Sequence, residues 1–195
     1  MFKTVLIVAA LAACSVDAQT TAPAGDARTY EYKVLATSRT STMDKEMNEA
    51  AHAGFRFGSV MGGDTAGGGK EVVTVMYRGT PAAKPCCEYR LLATSRTSTM
   101  QKEMQEVADA GFVYRGQTVF QSAFGGKEVA VIMERDREDP AARYEFRLLA
   151  TSRTSTMEKE LAEAGLASFE IVGMTVGKTA MGGNELVTIM RRPAK

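Results

Sequence analysis

The chain has 195 residues, 45% of them hydrophobic and 24% charged, with a formal net charge of +1. That composition is ordinary for a globular protein, and the near-neutral charge excludes the basic stripe of a general nucleic-acid binder. One histidine, His52, leaves little material for acid–base chemistry near neutral pH.

Met1 to Ala18 reads as an export signal. Lys3 gives it a positive start, and Val5 to Ala13 is an apolar run. That run is far short of the ~20 residues that span a bilayer. Leu11-Ala12-Ala13-Cys14 resembles the lipobox of bacterial lipoprotein signals. The resemblance implies a diacylglycerol on the Cys14 thiol and cleavage just before it. Ser15 then implies sorting to the periplasmic face of a Gram-negative outer membrane. Two or three acyl chains suffice for stable anchoring. The other reading is an ordinary signal peptide cut after Val16-Asp17-Ala18, which leaves Gln19 first in a periplasmic or secreted protein. Gln19 to Thr29 is rich in Thr, Ala, Gly and Pro and reads as a flexible tether.

The body of the chain repeats. Leu-Ala-Thr-Ser-Arg-Thr-Ser-Thr-Met runs from Leu35 to Met43, from Leu92 to Met100 and from Leu149 to Met157, a spacing of 57 residues. Gly68-Gly69, Gly125-Gly126 and Gly182-Gly183 keep that spacing, as do Met76, Met133 and Met190. The repeats span residues 30–79, 87–135 and 144–193. The linkers at 80–86 and 136–143 carry Pro and charges. A unit of ~50 residues is marginal alone, so the three are expected to share interfaces.

Each unit opens on an alternating stretch such as Tyr30-Glu31-Tyr32-Lys33-Val34, the pattern of a half-buried strand. A helix follows, with Met43, Met47 and Ala50-Ala51 on one stripe and Lys45 and Glu49 as an i,i+4 pair on the other. Ser41 is placed as its N-cap, in a capping box with Asp44; Ser98 with Gln101 and Ser155 with Glu158 repeat the pattern. Gly54 and Gly111 read as left-handed stops. Ser168 stands there in the third copy, so that helix is expected to end differently. Two strands complete the unit, roughly Phe55–Met61 and Glu71–Arg78, joined by glycines from Gly62 to Gly69. The last strand is apolar on both faces: Val72 and Met76 on one, Val73 and Val75 on the other. Such a strand is central and covered on both sides. The expected fold is α+β: three tandem βαββ units, each a three-stranded antiparallel sheet with one helix. The last strand lies in the middle, and the sheets pack against one another.

Tyr30-Glu31-Tyr32-Lys33-Val34, Glu46-Met47-Asn48-Glu49 and Gly54-Phe55-Arg56 together resemble the small bacterial DUF4177-type domain. Phe55, Phe112 and Phe169 stand where that family favours Trp. The resemblance implies a βαββ fold and supplies no catalytic residues.

Candidate chemistry gathers in the repeated loop. Arg39, Arg96 and Arg153 follow Ser38, Ser95 and Ser152 just before a helix N-terminus. Free N–H groups, the helix dipole and a guanidinium suit phosphate or carboxylate. Units around a pseudo-threefold axis would bring the three arginines together; otherwise each pairs with a local acid. The glycine-rich turns do not make a phosphate loop. Gly173 and Gly177 enclose three residues where that motif needs four. Cys86-Cys87 is a vicinal pair, open to a disulfide, an interchain bridge or free thiols. The recurring methionines read as core filling and His52 as a surface residue. No catalytic residues, metal ligands or cofactors are assigned. The chain reads as a non-catalytic envelope lipoprotein, held to the membrane through Cys14, acting as a structural or protein-interaction module. Its expected partners are an envelope protein or further copies of itself, and no nucleic acid. The alternative is a binding protein for a small anion or anionic polymer through the three arginine loops.

Overall fold

A computed structural model describes residues 29–65, 69–81, 84–121, 127–138, 143–178 and 183–194. The export signal, Cys14 and the tether up to residue 28 lie outside the described residues, as do the tips of the three glycine-rich turns. The first unit is β1 (Thr29–Thr37), α1 (Thr40–His52), β2 (Arg56–Thr65) and β3 (Gly69–Thr80). The second is β4 (Cys87–Thr94), α2 (Thr97–Asp109), β5 (Val113–Gln121) and β6 (Lys127–Asp136). The third is β7 (Tyr144–Thr151), α3 (Thr154–Leu166), β8 (Glu170–Lys178) and β9 (Asn184–Pro193). Strand orders are β1-β3-β2, β4-β6-β5 and β7-β9-β8, all antiparallel. The doubly apolar last strand is therefore central in every sheet. Gly62 and Gly63 pair with Val72 and Glu71 inside the ladder rather than forming the turn. A register shift falls at the same place in each second strand, between Phe57 and Ser59, Tyr114 and Gly116, and Ile171 and Gly173.

The helix termini differ from expectation at both ends. The N-caps are Arg39, Arg96 and Arg153, with extended backbones and no side-chain cap. Ser41 is thus the second helical residue and no capping box forms. The Asp44 carboxylate instead accepts from the Leu91 N–H at 2.8 Å, and the Gln101 amide oxygen from the Leu148 N–H at 2.6 Å. Both donors belong to the next unit's edge strand. The acceptor inferred at this position is real, but it serves a neighbouring unit. At the C-termini all three helices close alike. Gly54 (φ 83°), Gly111 (φ 89°) and also Ser168 (φ 65°) adopt the left-handed conformation. Phe55, Phe112 and Phe169 then donate their N–H to Ala50, Val107 and Ala164 at 3.0–3.1 Å. That six-to-one bond satisfies orphan carbonyls in each copy, so the third helix does not end differently.

The units stack in a row. Each helix covers part of its own sheet. The next unit's sheet, through its helix-free face, covers the rest. One continuous core contains Met43, Met47 and Phe55 of the first unit with Tyr89, Ala130 and Ile132 of the second. Another joins Met100, Met104 and Phe112 of the second unit to Phe146 and Ile189 of the third. The methionines fill these cores as expected, since an unbranched thioether adapts to irregular gaps. The third unit's own core is smaller: Leu149, Met157, Ala164, Phe169 and Met190. Gly116 is tightly approached; a Cβ there would lie 3.1 Å from the Phe57 ring.

Candidate functional site

The three arginine loops share one geometry. The Thr37, Thr94 and Thr151 hydroxyls accept from the backbone N–H of Arg39, Arg96 and Arg153 at 3.1–3.3 Å. This short side-chain turn stops the strand and aims the chain into the helix. Ser38, Ser95, Ser152 and the three arginines are exposed. Among the described residues, no ion pair or side-chain hydrogen bond holds any of the three guanidinium groups. Other arginines are engaged: Arg56 with Asp136 at 3.1 Å, Arg191 with Glu170 at 2.8 Å.

The Arg96 loop sits at the second joint. Arg96 lines a small cleft with Thr94, Ser95 and Thr97 from its own loop, Lys127 from β6, and Leu148 and Glu185 from the third unit. Neither Arg39 nor Arg153 enters that cleft. The three arginines do not share that cleft. What the Arg96 cleft offers an anion is a guanidinium, an ammonium and free helix N–H groups, opposed by the Glu185 carboxylate.

Sequence reading passed over a second repeated set. Arg78 pairs with Glu31 at 2.6 Å, donates to the Ala53 carbonyl at 2.8 Å and lies 4.5 Å from the Phe55 ring centroid. Arg135 does the same with Glu88, Ala110 and Phe112, and Arg192 with Glu145, Ala167 and Phe169. Each guanidinium ties a helix C-terminus to the first strand of its own sheet. The Arg135 hydrogen bond holds the Glu88 carboxyl below its ordinary value against a smaller opposing effect of burial, and Arg78 acts likewise on Glu31. The signal was legible as identical Glu, Phe and Arg at the 57-residue spacing. It also shows that identity across the copies can have a purely structural cause.

The joints carry most of the remaining polar chemistry. Asn48 clamps β4 by accepting from Tyr89 N–H at 2.9 Å and donating to the Tyr89 carbonyl at 3.0 Å. Gln105 accepts from Phe146 N–H at 2.9 Å, and Gln101 donates to the Phe146 carbonyl at 2.7 Å. These side chains satisfy an edge strand that would otherwise present bare backbone. In the first joint the buried Tyr89 hydroxyl accepts from Phe57 N–H at 2.8 Å and donates to Glu134 at 2.6 Å. Arg115 completes this network through its Nε, 2.8 Å from Glu134. Burial, with the Glu134 charge beside it, pushes the Tyr89 phenol far above its ordinary range. Burial pushes the Tyr114 phenol up to about 12. Both phenols therefore stay protonated near neutral pH.

No family model, curated protein or solved structure matches the chain. Its function is therefore read from its own surfaces.

Cys86 and Cys87 form a disulfide with each other, buried at the first joint. The Arg56 Nε lies 3.1 Å from the Cys86 sulfur. Asp136 completes a cluster whose candidate ligand atoms lie within 4.8 Å of one another. With both sulfurs in a disulfide, neither is the thiolate that metals bind. His52 is exposed. Among the described residues no helix is long and apolar enough to cross a membrane.

The two ends of the row are uncovered. At the first unit Tyr32 is 66% and Val34 63% exposed, whereas the equivalent Tyr89 and Phe146 are 0% and 2%. At the third unit Ile171, Met174 and Val176 are all more than half exposed. These residues take the places of the partly buried Tyr114, Gln117 and Val119.

Proposed function

We propose that this chain is a non-catalytic envelope lipoprotein, anchored through Cys14, that works as a protein-interaction module. The observation that carries this reading is the bare helix-free face of the first sheet. Its equivalents in the second and third units are buried protein–protein contacts, so the surface is of a kind that binds protein. The polar chemistry supports the same reading. Glu31, Glu88, Glu134, Asn48, Gln101 and Gln105 are engaged in holding strands, helices and units together. The resemblance of Leu11-Ala12-Ala13-Cys14 to a lipobox supports the outer membrane as the site of such a module. The resemblance to DUF4177-type domains adds no activity to it.

A photoreactive side chain at Tyr32 in intact cells tests the module. A discrete crosslinked protein is expected, and no crosslink in cells that express the chain would overturn the reading. Fractionation tests the anchor: Cys14→Ser should move the protein from the membrane to the soluble fraction. A mature chain found to begin at unmodified Gln19 would remove the anchor and leave the module.

A second reading, anion binding at the arginine loops, is favoured by one fact: Arg39, Arg96 and Arg153 are exposed and, among the described residues, unengaged. Arg96 lines a cleft that neither Arg39 nor Arg153 enters, so the reading is of separate sites rather than one shared pocket. The triple Arg→Gln variant should then lose salt-sensitive binding to polyphosphate. Equal binding by variant and parent would eliminate this reading.

A further inference from the structure

The two ends of the row are the two halves of one joint. Inside the chain that joint is used twice. One half is the helix-free face of a sheet: Tyr89, Ala130 and Ile132 in the second unit, Phe146, Val187 and Ile189 in the third. The other half is the preceding unit's helix together with its bulged second strand, through Phe57 and Val60, then Tyr114. The first unit presents the first half, with no described element over it: Tyr32, Val34, Val73 and Val75, extended by Tyr30 and Tyr77. The third unit presents the second half equally bare, through Ile171, Met174 and Val176.

We propose that the chain associates head to tail with a second copy of itself, the third unit of one molecule receiving the first unit of the next. This deepens the interaction-module reading, on which it rests, by naming the partner. Three observations favour a second copy over a different protein. First, each end surface stands at the positions that meet within the chain, so a copy reproduces an established interface. Second, the ends lack the character of capping repeats. Terminal repeats of a solenoid normally carry a polar outer face that stops growth. Here the tail has Met174 where the second unit has Gln117, and the head has Tyr77 where the other units have Glu134 and Arg191. Tyr77 makes the head more apolar than the interior, and Met174 keeps the tail as apolar as Val60 makes the first joint. Third, Glu158 retains, on α3, the acceptor by which Asp44 and Gln101 hold the next edge strand, although among the described residues no edge strand lies against it. It is set to accept from the N–H of Val34 in the next molecule. Ala162 takes the place of Asn48 and Gln105, so the intermolecular joint has one clamp fewer than the internal ones. The association is accordingly weaker than the intramolecular joints and reversible. The contact joins unlike surfaces, so it builds a chain of molecules, or a ring where the rotation closes, and not a twofold dimer.

The test uses residues 19–195, which contain every described element. A head-blocked variant carries Tyr32→Glu and Val34→Lys; a tail-blocked variant carries Ile171→Asp and Met174→Lys. All four positions are exposed, so the folds should survive. In analytical ultracentrifugation the parent should form concentration-dependent oligomers, and each variant alone should be monomeric. Mixed one to one, the variants should form a dimer and nothing larger, because each retains the end the other lacks. That dimer also shows that both are folded. A mixture that stays monomeric overturns the proposal. So does a tail-blocked variant that still dimerises, which would mean two heads meet face to face. A parent that is monomeric at ~100 μM, where a joint with a Kd of ~1 μM would be almost fully occupied, overturns self-assembly. If Tyr32 still crosslinks to another envelope protein in cells, the module reading stands without it.

Discussion

Removing the Asn48 carboxamide strikes the first joint at one identifiable place. Asn48→Ala leaves the Tyr89 N–H and carbonyl, on the outer edge of β4, without their partners at 2.9 and 3.0 Å. Asn48 also donates to the Asp44 carbonyl one turn back at 2.8 Å, a bond that contributes little because that carbonyl already serves the helix. Each lost bond to the strand costs roughly 0.5–1.5 kcal/mol, and a donor left dry costs about 1–3 kcal/mol. Tyr89 is fully buried, so water reaches its amide poorly. The expected loss is therefore about 2–3 kcal/mol. Urea unfolding measures the total, and hydrogen exchange localises it. The Tyr89 amide should lose protection while amides of β9 keep theirs. The control is Lys45→Ala on the wet face of the same helix. Its 3.7 Å pair with Glu49 is exposed, so the change should stay within ~0.5 kcal/mol. A loss below ~0.5 kcal/mol for Asn48→Ala, or unchanged exchange at Tyr89, would refute the edge-clamp account.

Tyr89→Phe should cost about 1–3 kcal/mol in the same assay, because the Phe57 N–H loses its acceptor and Glu134 one of its donors. Gly173→Ala should destabilise by about 1–3 kcal/mol, since its Cβ would lie 2.2 Å from the Tyr114 hydroxyl and 2.7 Å from Gln117. Thermal melts check it, and adding Tyr114→Phe should relieve part of the loss. The Glu88 carboxyl titrates below its ordinary value in the folded state. Its contribution to stability is thus present above the unfolded value of ~4.3 and fades as pH falls through the lower folded value. Glu88→Gln should flatten the fall in stability below pH ~4.5, and a variant with the parent's full acid dependence would contradict this.

Much of the molecule was legible because the forces that make it act over a few residues. Alternation from Tyr30 to Val34 marks a strand, methionines at helical spacing mark the buried stripe, and the two apolar faces of Val72 to Met76 put the last strand in the middle. The closing of α3 shows where local rules ran out. Ser168 bears a left-handed backbone that sequence preference assigns to glycine, because the Phe169 bond to Ala164 and the burial of Phe169 hold it there. Ser41 shows the opposite. Its residue type suits a cap, yet the helix is entered two residues earlier, through the turn at Thr37 and Arg39.

Taken alone, the sequence determined the number of units, the order of elements in each, the central strand and the methionine cores, and left open whether the arginines converge or pair with local acids. It also raised the question of what Asp44, Gln101 and Glu158 accept from. Only the tertiary structure decided the answer, because Leu91 lies 47 positions from Asp44 and no local period connects them. The same holds for the Tyr89–Glu134 network and for the row arrangement that keeps Arg39 and Arg153 out of the Arg96 cleft. Periodicity records which face of an element is dry. What makes it dry is fixed by stacking, and stacking leaves two faces at the ends of the row still uncovered.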